Sequence, residues 1–416
     1  MAFFPASSYL LPEPYGISLI FSAWNSQFLT LIMPIAAAIA AGNVCLGKPS
    51  EMSPATAIIV EKILNELDPE IVQVVQGDYK ACEFLLKQKF DLIIFTGSPE
   101  KGKIVAKAAA EYLTPCILEL GGQNPTIVDE SCDMNNAVIN ICSGRFLNAG
   151  QICIAPEYVL VHESVIDRFT EGLLRTLESF FKGKSQESQD YAKIINSFHT
   201  SRIGKKLESH GGKLICGGNY KTEERYVEPT IIHFDSIDAL RKSPLYKDEI
   251  FGPILYYAPY KNLDDVINMI NNNAKPLAMY YFGTNKANKK RLETETSSGA
   301  LVMNDTIVHF TSPYLPFGGV GNSGIGSYHG KYGFDNMSHL KPVLDRKPQV
   351  VSFRYPPFTA RSQSIMKFLI NNVRFTQNEA FKFILYVSVI IICIMFRNTL
   401  FNTCHGIFEG IKNQSY

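Results

Sequence analysis

In the first third of the chain, short apolar runs alternate with segments whose apolar residues recur at helical spacing. The runs at residues 15–21, 71–75 and 91–96 have the length and composition of buried strands. The segment at residues 56–67 has the spacing of an amphipathic helix, and the run at 116–120 predicts a further strand. This alternation predicts a parallel, doubly wound α/β sheet.

The longest apolar run of this region, residues 28–46, has two interpretations. It is long enough to cross a bilayer. It is also rich in Ala and Gly, contains Pro34 and includes the turn 41–43, features that favour a buried helix followed by a short strand at 44–46. We therefore expect a helix and a strand inside the soluble fold.

A second apolar run, residues 383–396, lies near the C-terminus. Its 14 residues fall short of the roughly 17–25 of a spanning helix, but Lys382 and Arg397 can extend it by snorkelling. A segment packed on the rest of the protein is the alternative. Because proline-rich and polar stretches precede the run, we expect a transmembrane helix at 380–401, followed by a tail at 402–416.

Composition narrows the class of protein. A chain of 416 residues is too long for one compact core, so two domains and a tail are expected. The 40 Lys and Arg residues balance 39 Asp and Glu residues without a basic tract, which argues against a nucleic-acid partner. The nine cysteines are scattered and form no C-x-x-C pair, which argues against a disulfide framework or a metal site and for a reducing compartment.

The turn after the run at 91–96 has the features of a helix start. Ser98 can cap the next helix, Pro99 suits its first position, and Glu100 suits the positive end of its dipole. The free N–H groups between Gly97 and Gly102 can bind a phosphate. A plain capped helix start explains the same residues without a ligand.

Four polar or nucleophilic residues stand out from their surroundings. Lys48 and Glu51 follow a predicted strand and can hydrogen-bond to sugar hydroxyls, although a solvated loop also explains them. Cys153 lies in an apolar stretch, where a cysteine is usually a small hydrophobe and acts as a nucleophile only if its thiolate is stabilised. Glu119 lies between two leucines, which indicates either a site residue or a strand-end glutamate that reaches water.

Eight short blocks follow one another along the chain. They are Glu13-Pro14-Tyr15-Gly16, Ala23-Trp24-Asn25, Lys48-Pro49-Ser50-Glu51, Phe95-Thr96-Gly97-Ser98, Leu118-Glu119-Leu120-Gly121-Gly122, Asn148-Ala149-Gly150-Gln151-Ile152-Cys153, Glu249-Ile250-Phe251-Gly252-Pro253 and Pro316-Phe317-Gly318-Gly319-Val320-Gly321. Together they resemble the aldehyde dehydrogenase superfamily, in particular its class 3 branch, over about residues 13–360. The segments at 328–331 and 354–357 resemble the membrane-bound, fatty aldehyde dehydrogenase group of that branch.

The resemblance implies an NAD(P)-dependent aldehyde dehydrogenase that oxidises long-chain aldehydes to carboxylic acids. Cys153 is implied as the nucleophile, with the Asn25 amide and the Cys153 backbone N–H as donors to the oxyanion. Glu119 is implied as the general base that activates water to hydrolyse the thioester, with a pKa raised by its apolar surroundings.

The resemblance also implies the cofactor site, with Glu249 at the nicotinamide ribose and Lys48 and Glu51 at the adenine-side ribose. A carboxylate at Glu51 disfavours a 2′-phosphate, so NAD is expected rather than NADP, and no metal is implied. The full set of expected cofactor contacts is Trp24, Lys48, Glu51, Gly97, Ser98, Gly102, Glu249 and Phe251.

The expected architecture has a Rossmann-like NAD-binding domain at residues 1–120 and an α/β catalytic domain at 121–320 that carries Cys153. A small β bridging platform at 321–357 and an amphipathic juxtamembrane segment at 358–379 precede the anchor. The resemblance implies a homodimer in the endoplasmic reticulum membrane, with its catalytic domain facing the cytosol. The peroxisomal and mitochondrial outer membranes are the alternatives.

The chain departs from the family's pattern chiefly at its start. Family members carry a helical segment before the block at Glu13, whereas residues 1–12 show no resemblance to it. Three hypotheses follow. The chain is an active fatty aldehyde dehydrogenase, a shortened and weakly active membrane-tethered form that pairs with full-length subunits, or a soluble class 3 enzyme with a packed tail. Smaller departures are Ser26, Lys101 and Ile152.

Overall fold

A computed structural model describes residues 6–348 and 354–371, together with Leu385, Ser388, Val389 and Phe396. Residues 12–341 form one compact unit, and the described residues among 1–11 and 342–416 are assigned to another. In the part of the chain that the structure describes, no helix is long and apolar enough to span a membrane. The anchor and tail predicted at 380–401 and 402–416 lie almost wholly outside the described residues.

The described residues form strands and short to medium helices in alternation. The strands are β1 (Ala6–Pro14), β2 (Ile17–Phe21), β3 (Val44–Lys48), β4 (Val72–Val74), β5 (Leu92–Gly97), β6 (Cys116–Leu120), β7 (Pro125–Val128), β8 (Tyr158–His162), β9 (Lys213–Cys216), β10 (Tyr220–Lys221), β11 (Tyr226–Val227), β12 (Thr230–His233), β13 (Ile254–Tyr260), β14 (Ala278–Phe282), β15 (Ala300–Met303), β16 (Gly324–Ile325) and β17 (Ser338–Arg346). The helices are α1 (Gln27–Ala40), α2 (Pro54–Leu64), α3 (Tyr79–Leu85), α4 (Pro99–Ala110), α5 (Met134–Phe146), α6 (Ile166–Phe181), α7 (Ser197–Glu208), α8 (Ile237–Lys242), α9 (Leu263–Asn271), α10 (Lys286–Glu295), α11 (Gly330–Asn336) and α12 (Ala360–Asn371).

The first sheet has six strands in the order β16-β6-β5-β2-β3-β4. The five strands β2 to β6 are parallel to one another, and β16 joins antiparallel to β6. The prediction of a doubly wound α/β fold with a Rossmann-like half is thereby confirmed. Lys48, Gly97 and Glu119 lie at the carboxyl ends of its parallel strands, and Asn25 lies in the turn after β2. This is the edge at which such sheets bind ligands.

The apolar run at 28–46 folds as the helix α1 and the strand β3, as predicted. The residues of α1 that face the core recur every three to four positions and include Leu31, Ile35 and Ala38. Asn43 ends the intervening turn, where its side chain accepts from the Gly16 backbone N–H at 3.0 Å. The helix therefore packs against the sheet and is part of the soluble fold.

The second sheet has seven strands in the order β15-β14-β7-β8-β13-β12-β9. All its neighbours are parallel except β9, which runs antiparallel to β12. Its central strands, β7, β8, β13 and β14, are almost wholly buried and mostly apolar, as expected where both faces of a sheet are covered. Helix α5 leads from this sheet to the turn that carries Cys153.

The segment predicted as a bridging platform, 321–357, contributes to more than one sheet. Strand β16 lies in the first sheet, while β17 pairs with β1 in a separate two-stranded sheet. Within this pairing region Lys341 Nζ lies 2.6 Å from a carboxylate oxygen of Glu13. Helix α12 occupies part of the segment predicted to precede the anchor, 358–379.

Candidate active site

Glu119 is a buried carboxyl group at the end of β6. Only 2% of the residue is exposed, and neither carboxylate oxygen has a hydrogen-bond partner among the described residues. The neighbouring strands place Thr96 beside it on one side and Gly324 on the other. Burial raises the pKa of Glu119 well above its ordinary value, because the charged form loses its hydration without gaining donors. The sequence prediction of a raised pKa is confirmed.

Cys153 follows a turn of unusual backbone conformation. Asn148, Ala149 and Gly150 all have φ between 50° and 73°, a left-handed region that is rare for residues other than glycine. A Cβ on Gly150 would overlap the carbonyl oxygen of Gly252. The turn therefore brings the nucleophile loop close to the loop at 249–252.

The Cys153 backbone is fixed after the turn, and its thiol is half-buried. Its carbonyl oxygen accepts from Asn124 Nδ2 at 2.8 Å, and the next carbonyl, of Ile154, accepts from the Tyr280 hydroxyl. Burial, together with the charges of Glu249 and Glu119, raises the pKa of the Cys153 thiol. A raised pKa disfavours the thiolate, so attack on a substrate is favoured by a base that takes the proton.

Asn25 lies directly against the nucleophile loop. Its Nδ2 donates to the carbonyl oxygen of Gln151 at 2.9 Å, and its own carbonyl accepts from Asn148 Nδ2 at 3.3 Å. A side-chain amide has two N–H groups, so one can hold Gln151 while the other is available to an oxyanion. The structure brings Asn25 to the loop that carries Cys153, and its role as an oxyanion donor stays a prediction.

Glu249 and Phe251 lie on a turn that faces both Gly121 and Trp24. The carboxylate of Glu249 lies so close to Gly121 that a Cβ there would overlap Oε2. The Phe251 ring lies 5.3 Å from the Trp24 ring at 82°, an edge-to-face contact. Burial and the charge of Glu157 raise the pKa of Glu249. The charges of two arginines and the Gly122 backbone N–H offset part of this increase.

Lys48 and Glu51 form a pair at the carboxyl end of β3. Lys48 is 2% exposed, and its Nζ donates to the Pro49 carbonyl oxygen at 2.8 Å and to Glu51 Oε2 at 3.2 Å. The Glu51 side chain is 46% exposed. A buried ammonium beside an accessible carboxylate suits hydroxyl groups of a sugar, which can donate to one and accept from the other.

The turn before α4 has the predicted cap. The Ser98 hydroxyl accepts from the Lys101 backbone N–H at 3.4 Å, with Pro99 at the first helical position. Gly102 is buried, and a Cβ there would overlap the Leu120 side chain. The structure thus gives Gly102 a packing role that lets α4 approach β6, and phosphate contacts at Gly97, Ser98 and Gly102 stay predictions.

The residues at this edge of the sheet fit a dinucleotide cofactor. Glycine at 121 leaves room for the Glu249 carboxylate, whose free acceptor oxygens suit ribose hydroxyls. The N-terminus of α4, with the positive end of its dipole, lies at the sheet edge where phosphates bind. Lys48 and Glu51 are the polar pair beyond the neighbouring strand.

Sequence reasoning missed several residues of this site. Tyr328 is buried, and its pKa is raised by burial and by the charges of Glu119 and Cys153, which places it near both. Arg145 and Glu157 form a buried ion pair at 2.7 Å beside the nucleophile turn. The signal for these two was the one that marked Glu119, a charge in an apolar stretch.

The chain belongs to the aldehyde dehydrogenase family, whose model matches residues 5–343. The fold and site thus define an NAD(P)-dependent aldehyde dehydrogenase, as the sequence blocks predicted. The match begins at residue 5, so the expectation that the residues before Glu13 do not resemble the family was wrong. Of those residues, 6–12 lie in β1, which pairs with β17.

The class 3 resemblance is confirmed by known relatives. The chain is 43% identical over 367 residues to aldehyde dehydrogenase family 3 member A2 of Rattus norvegicus. The aligned residues make up 87% of this chain and 75% of the relative. It is 42% identical over 357 residues to the dimeric NADP-preferring aldehyde dehydrogenase of Mus musculus, covering 85% and 78%.

A solved structure is also similar. The substrate-bound state of Staphylococcus aureus AldH superposes with a TM-score of 0.84 and 40% identity, over 89% of this chain and 80% of that one.

Proposed function

We propose that this enzyme oxidises long-chain aldehydes to carboxylic acids with NAD as its preferred cofactor. The observation that carries the proposal is the buried Glu119 carboxyl, which has no hydrogen-bond partner among the described residues. Its charge contributes to the raised pKa of Cys153. A base in that position can activate water against a thioester and so release a free acid. An enzyme that passed its acyl group to a thiol acceptor would not need such a base.

The chain's own residues perform the first half of the reaction at Cys153. The thiol loses its proton to a base and its sulfur attacks the aldehyde carbon, forming a thiohemiacetal oxyanion. The second N–H of the Asn25 amide and the Cys153 backbone N–H stabilise that charge. Bound NAD supplies the hydride acceptor, after which Cys153 carries a thioester.

The second half of the reaction belongs to Glu119. The carboxylate takes a proton from a water molecule, and the water oxygen attacks the thioester carbon. The carbon–sulfur bond then breaks, which releases the acid and returns Cys153 as a thiolate. Burial makes Glu119 a stronger base than an ordinary carboxylate, because protonation relieves its desolvation.

The long-chain preference is supported by an aromatic cluster beside the nucleophile. Tyr280 donates to the Ile154 carbonyl next to Cys153, and the His309 ring lies 6.3 Å from the Tyr280 ring. Phe317 and Phe310 continue the cluster at 5.7 Å from each other. Tyr280 and Phe317 are buried, whereas His309 and Phe310 are partly exposed and can form an apolar wall for an alkyl chain, where burial of each CH₂ contributes about 0.8 kcal/mol.

The substrate class is tested by measuring kcat/KM for a series of straight-chain aldehydes from acetaldehyde to hexadecanal, with NAD in excess. We expect kcat/KM to increase with chain length until the apolar wall is filled. A maximum at acetaldehyde with weaker turnover of every longer aldehyde would contradict the long-chain assignment.

The pKa of Glu119 predicts the pH dependence of turnover. Because its pKa is raised, the carboxyl is protonated and inactive as a base over a wider acidic range than an ordinary glutamate. We therefore expect kcat to increase as pH rises through that raised pKa. The check is a kcat profile under conditions in which thioester hydrolysis limits the rate; a flat profile across the acidic and neutral range would contradict the prediction.

Glu51 predicts the choice between NAD and NADP. Its accessible carboxylate beside Lys48 repels a 2′-phosphate but accepts from a 2′-hydroxyl. We expect Glu51→Gln to lower KM for NADP by roughly tenfold, the effect of about one removed charge repulsion, and to raise KM for NAD. Glu66→Gln, which removes another exposed carboxylate, is the matched control. An unchanged KM for NADP in Glu51→Gln would mean that the 2′ position of the adenine-side ribose does not lie beside Glu51.

The quaternary and cellular context is part of the proposal. A homodimer is supported by a class 3 relative whose name calls it dimeric. The apolar segment 383–396 supports a membrane anchor at 380–401, with the endoplasmic reticulum as the proposed membrane and the catalytic domain on its cytosolic side. Alkaline carbonate extraction tests the anchor, with a chain ending at residue 379 as control. Release of the full chain into the supernatant would refute it.

A further inference from the structure

The turn at residues 250–252 is held by charged side chains from three different elements. The Ile250 backbone N–H donates to Glu157 Oε1 at 2.7 Å, and the Ile250 carbonyl accepts from an Arg202 guanidinium N–H at 2.6 Å. The Gly252 carbonyl accepts from the Arg145 guanidinium. Arg145 lies in the last turn of α5, Glu157 precedes β8 and Arg202 lies in α7, so the turn is fixed from several sides.

The residue between these contacts has an unfavourable backbone conformation. Phe251 has φ of 51°, a left-handed value that crowds the Cβ of an aromatic residue. A residue stays in this conformation only when its surroundings determine it, and such residues concentrate at functional sites. Here the surroundings are the charged side chains that hydrogen-bond to the backbone of Ile250 and Gly252.

Two of the clamping residues are fully buried and paired. Arg145 is 0% exposed and Glu157 is 2% exposed, with 2.7 Å between their charged atoms. The Arg145 guanidinium also donates to the Pro156 carbonyl at 3.0 Å, three residues beyond Cys153. Through these bonds the pair connects the nucleophile loop to the turn at 250–252. Because a buried charge left without its partner is strongly destabilising, the pair stays formed.

The held turn carries the two groups expected to meet the cofactor. Glu249 lies against Gly121, and Phe251 packs edge-to-face on Trp24. Arg145 and Arg202 also oppose the rise of the Glu249 pKa, which favours the ionised form that accepts from two hydroxyl groups.

We propose that Arg145, Glu157 and Arg202 are positioning residues that hold the strained Phe251 turn and thereby set the Glu249 carboxylate for cofactor binding. This proposal rests on the proposed role of Glu249 at the nicotinamide ribose. None of the three touches the reacting atoms. Their effect reaches the cofactor through the backbone of Ile250 and Gly252.

Arg202→Gln is the discriminating variant. Arg202 is only half-buried and makes a single contact to the turn among the described residues, so its loss spares the buried pair. We expect KM for NAD to rise about tenfold, the equivalent of one charged hydrogen bond, while KM for the aldehyde stays unchanged. Arg202→Lys keeps a charged donor and should restore part of the loss.

Two further readouts separate positioning from general damage. Hydrolysis of p-nitrophenyl acetate without NAD needs only Cys153 and Glu119, because no hydride leaves, and we expect it to persist in Arg202→Gln. Trp24 is the one tryptophan in the chain and contacts both Phe251 of the turn and His199 of α7. Its emission maximum therefore reports the packing of the turn and α7 and should shift to longer wavelength. Arg175→Gln, at an arginine that is 71% exposed, should change neither.

Each outcome decides the proposal. An unchanged KM for NAD in Arg202→Gln, or equal losses of ester hydrolysis and dehydrogenase activity, would overturn it. A wild-type chain without dehydrogenase activity would count against the proposed function instead, and the positioning role would then be judged by Trp24 emission and NAD titration of the two proteins. Identical emission and identical NAD affinity in Arg202→Gln and wild type would overturn the positioning role.

Discussion

Cys153→Ala will abolish aldehyde oxidation and NAD-independent ester hydrolysis together. Both reactions require the sulfur to form a covalent bond to the substrate carbon, and alanine offers no nucleophile. We expect both rates to fall by at least about a thousandfold, as is usual when a covalent nucleophile is removed. Steady-state NADH formation and p-nitrophenolate release are the measurements.

The fold should tolerate this change. Cys153 is half-buried, and the neighbouring backbone is held by Asn124 and by Tyr280, neither of which contacts the thiol through these bonds. We therefore expect NAD titration of Trp24 emission to remain close to wild type. Cys132→Ala, which removes another half-buried thiol, should retain full turnover. Residual turnover in Cys153→Ala comparable to wild type would assign the nucleophile to another residue.

Glu119→Gln will separate the two halves of the reaction. Glutamine keeps the size of the side chain but cannot take a proton from water, so the thioester on Cys153 should persist. We expect one burst of NADH per active site, followed by a steady-state rate lowered by about a hundredfold to ten-thousandfold. Stopped-flow absorbance of NADH measures both phases in one experiment.

A burst of normal size is the critical part of that result. If Glu119 also accepts the proton of the Cys153 thiol, the burst slows but its amplitude stays the same. Glu171→Gln, at a glutamate of α6 whose side chain is 69% exposed, is the matched control and should turn over normally. Unchanged steady-state turnover in Glu119→Gln would exclude it as the base for hydrolysis.

Much of the first sheet was predictable because its signals are local. The apolar runs that form β2, β5 and β6 are short, and the turn after Ala40 separates α1 from β3. The helix predicted at 56–67 ends three residues earlier, at Leu64, since the apolar spacing continues past the last helical hydrogen bonds. Boundaries of this kind depend on the cap and are weakly encoded in periodicity.

Glu119 was recognisable from sequence because a carboxyl between two leucines is unusual in itself. The contact between Asn25 and Gln151 joins residues 126 positions apart, and the contact between Arg145 and Gly252 joins residues 107 apart. Neither leaves a periodic or local pattern along the chain. A charge in an apolar stretch marks Arg145 as unusual, but the partner of each of these contacts is set only by the folded chain and could not be inferred from sequence.

The bridging segment shows the same limit in another form. Residues 324–325 form β16, which hydrogen-bonds to β6 and places Gly324 opposite Glu119. A two-residue strand of one glycine and one isoleucine is too short to predict a strand from sequence. Its partner, and therefore its place next to the general base, is set by the fold as a whole.

The most direct test of the account is the intact mass of Glu119→Gln after mixing with hexadecanal and NAD. We predict that the protein gains the mass of one hexadecanoyl group, that peptide mapping places this group on Cys153, and that the adduct is absent without NAD. A Glu119→Gln protein that forms NADH but carries no acyl group, or carries it on another residue, would contradict the central claim that Cys153 and Glu119 divide the reaction between them.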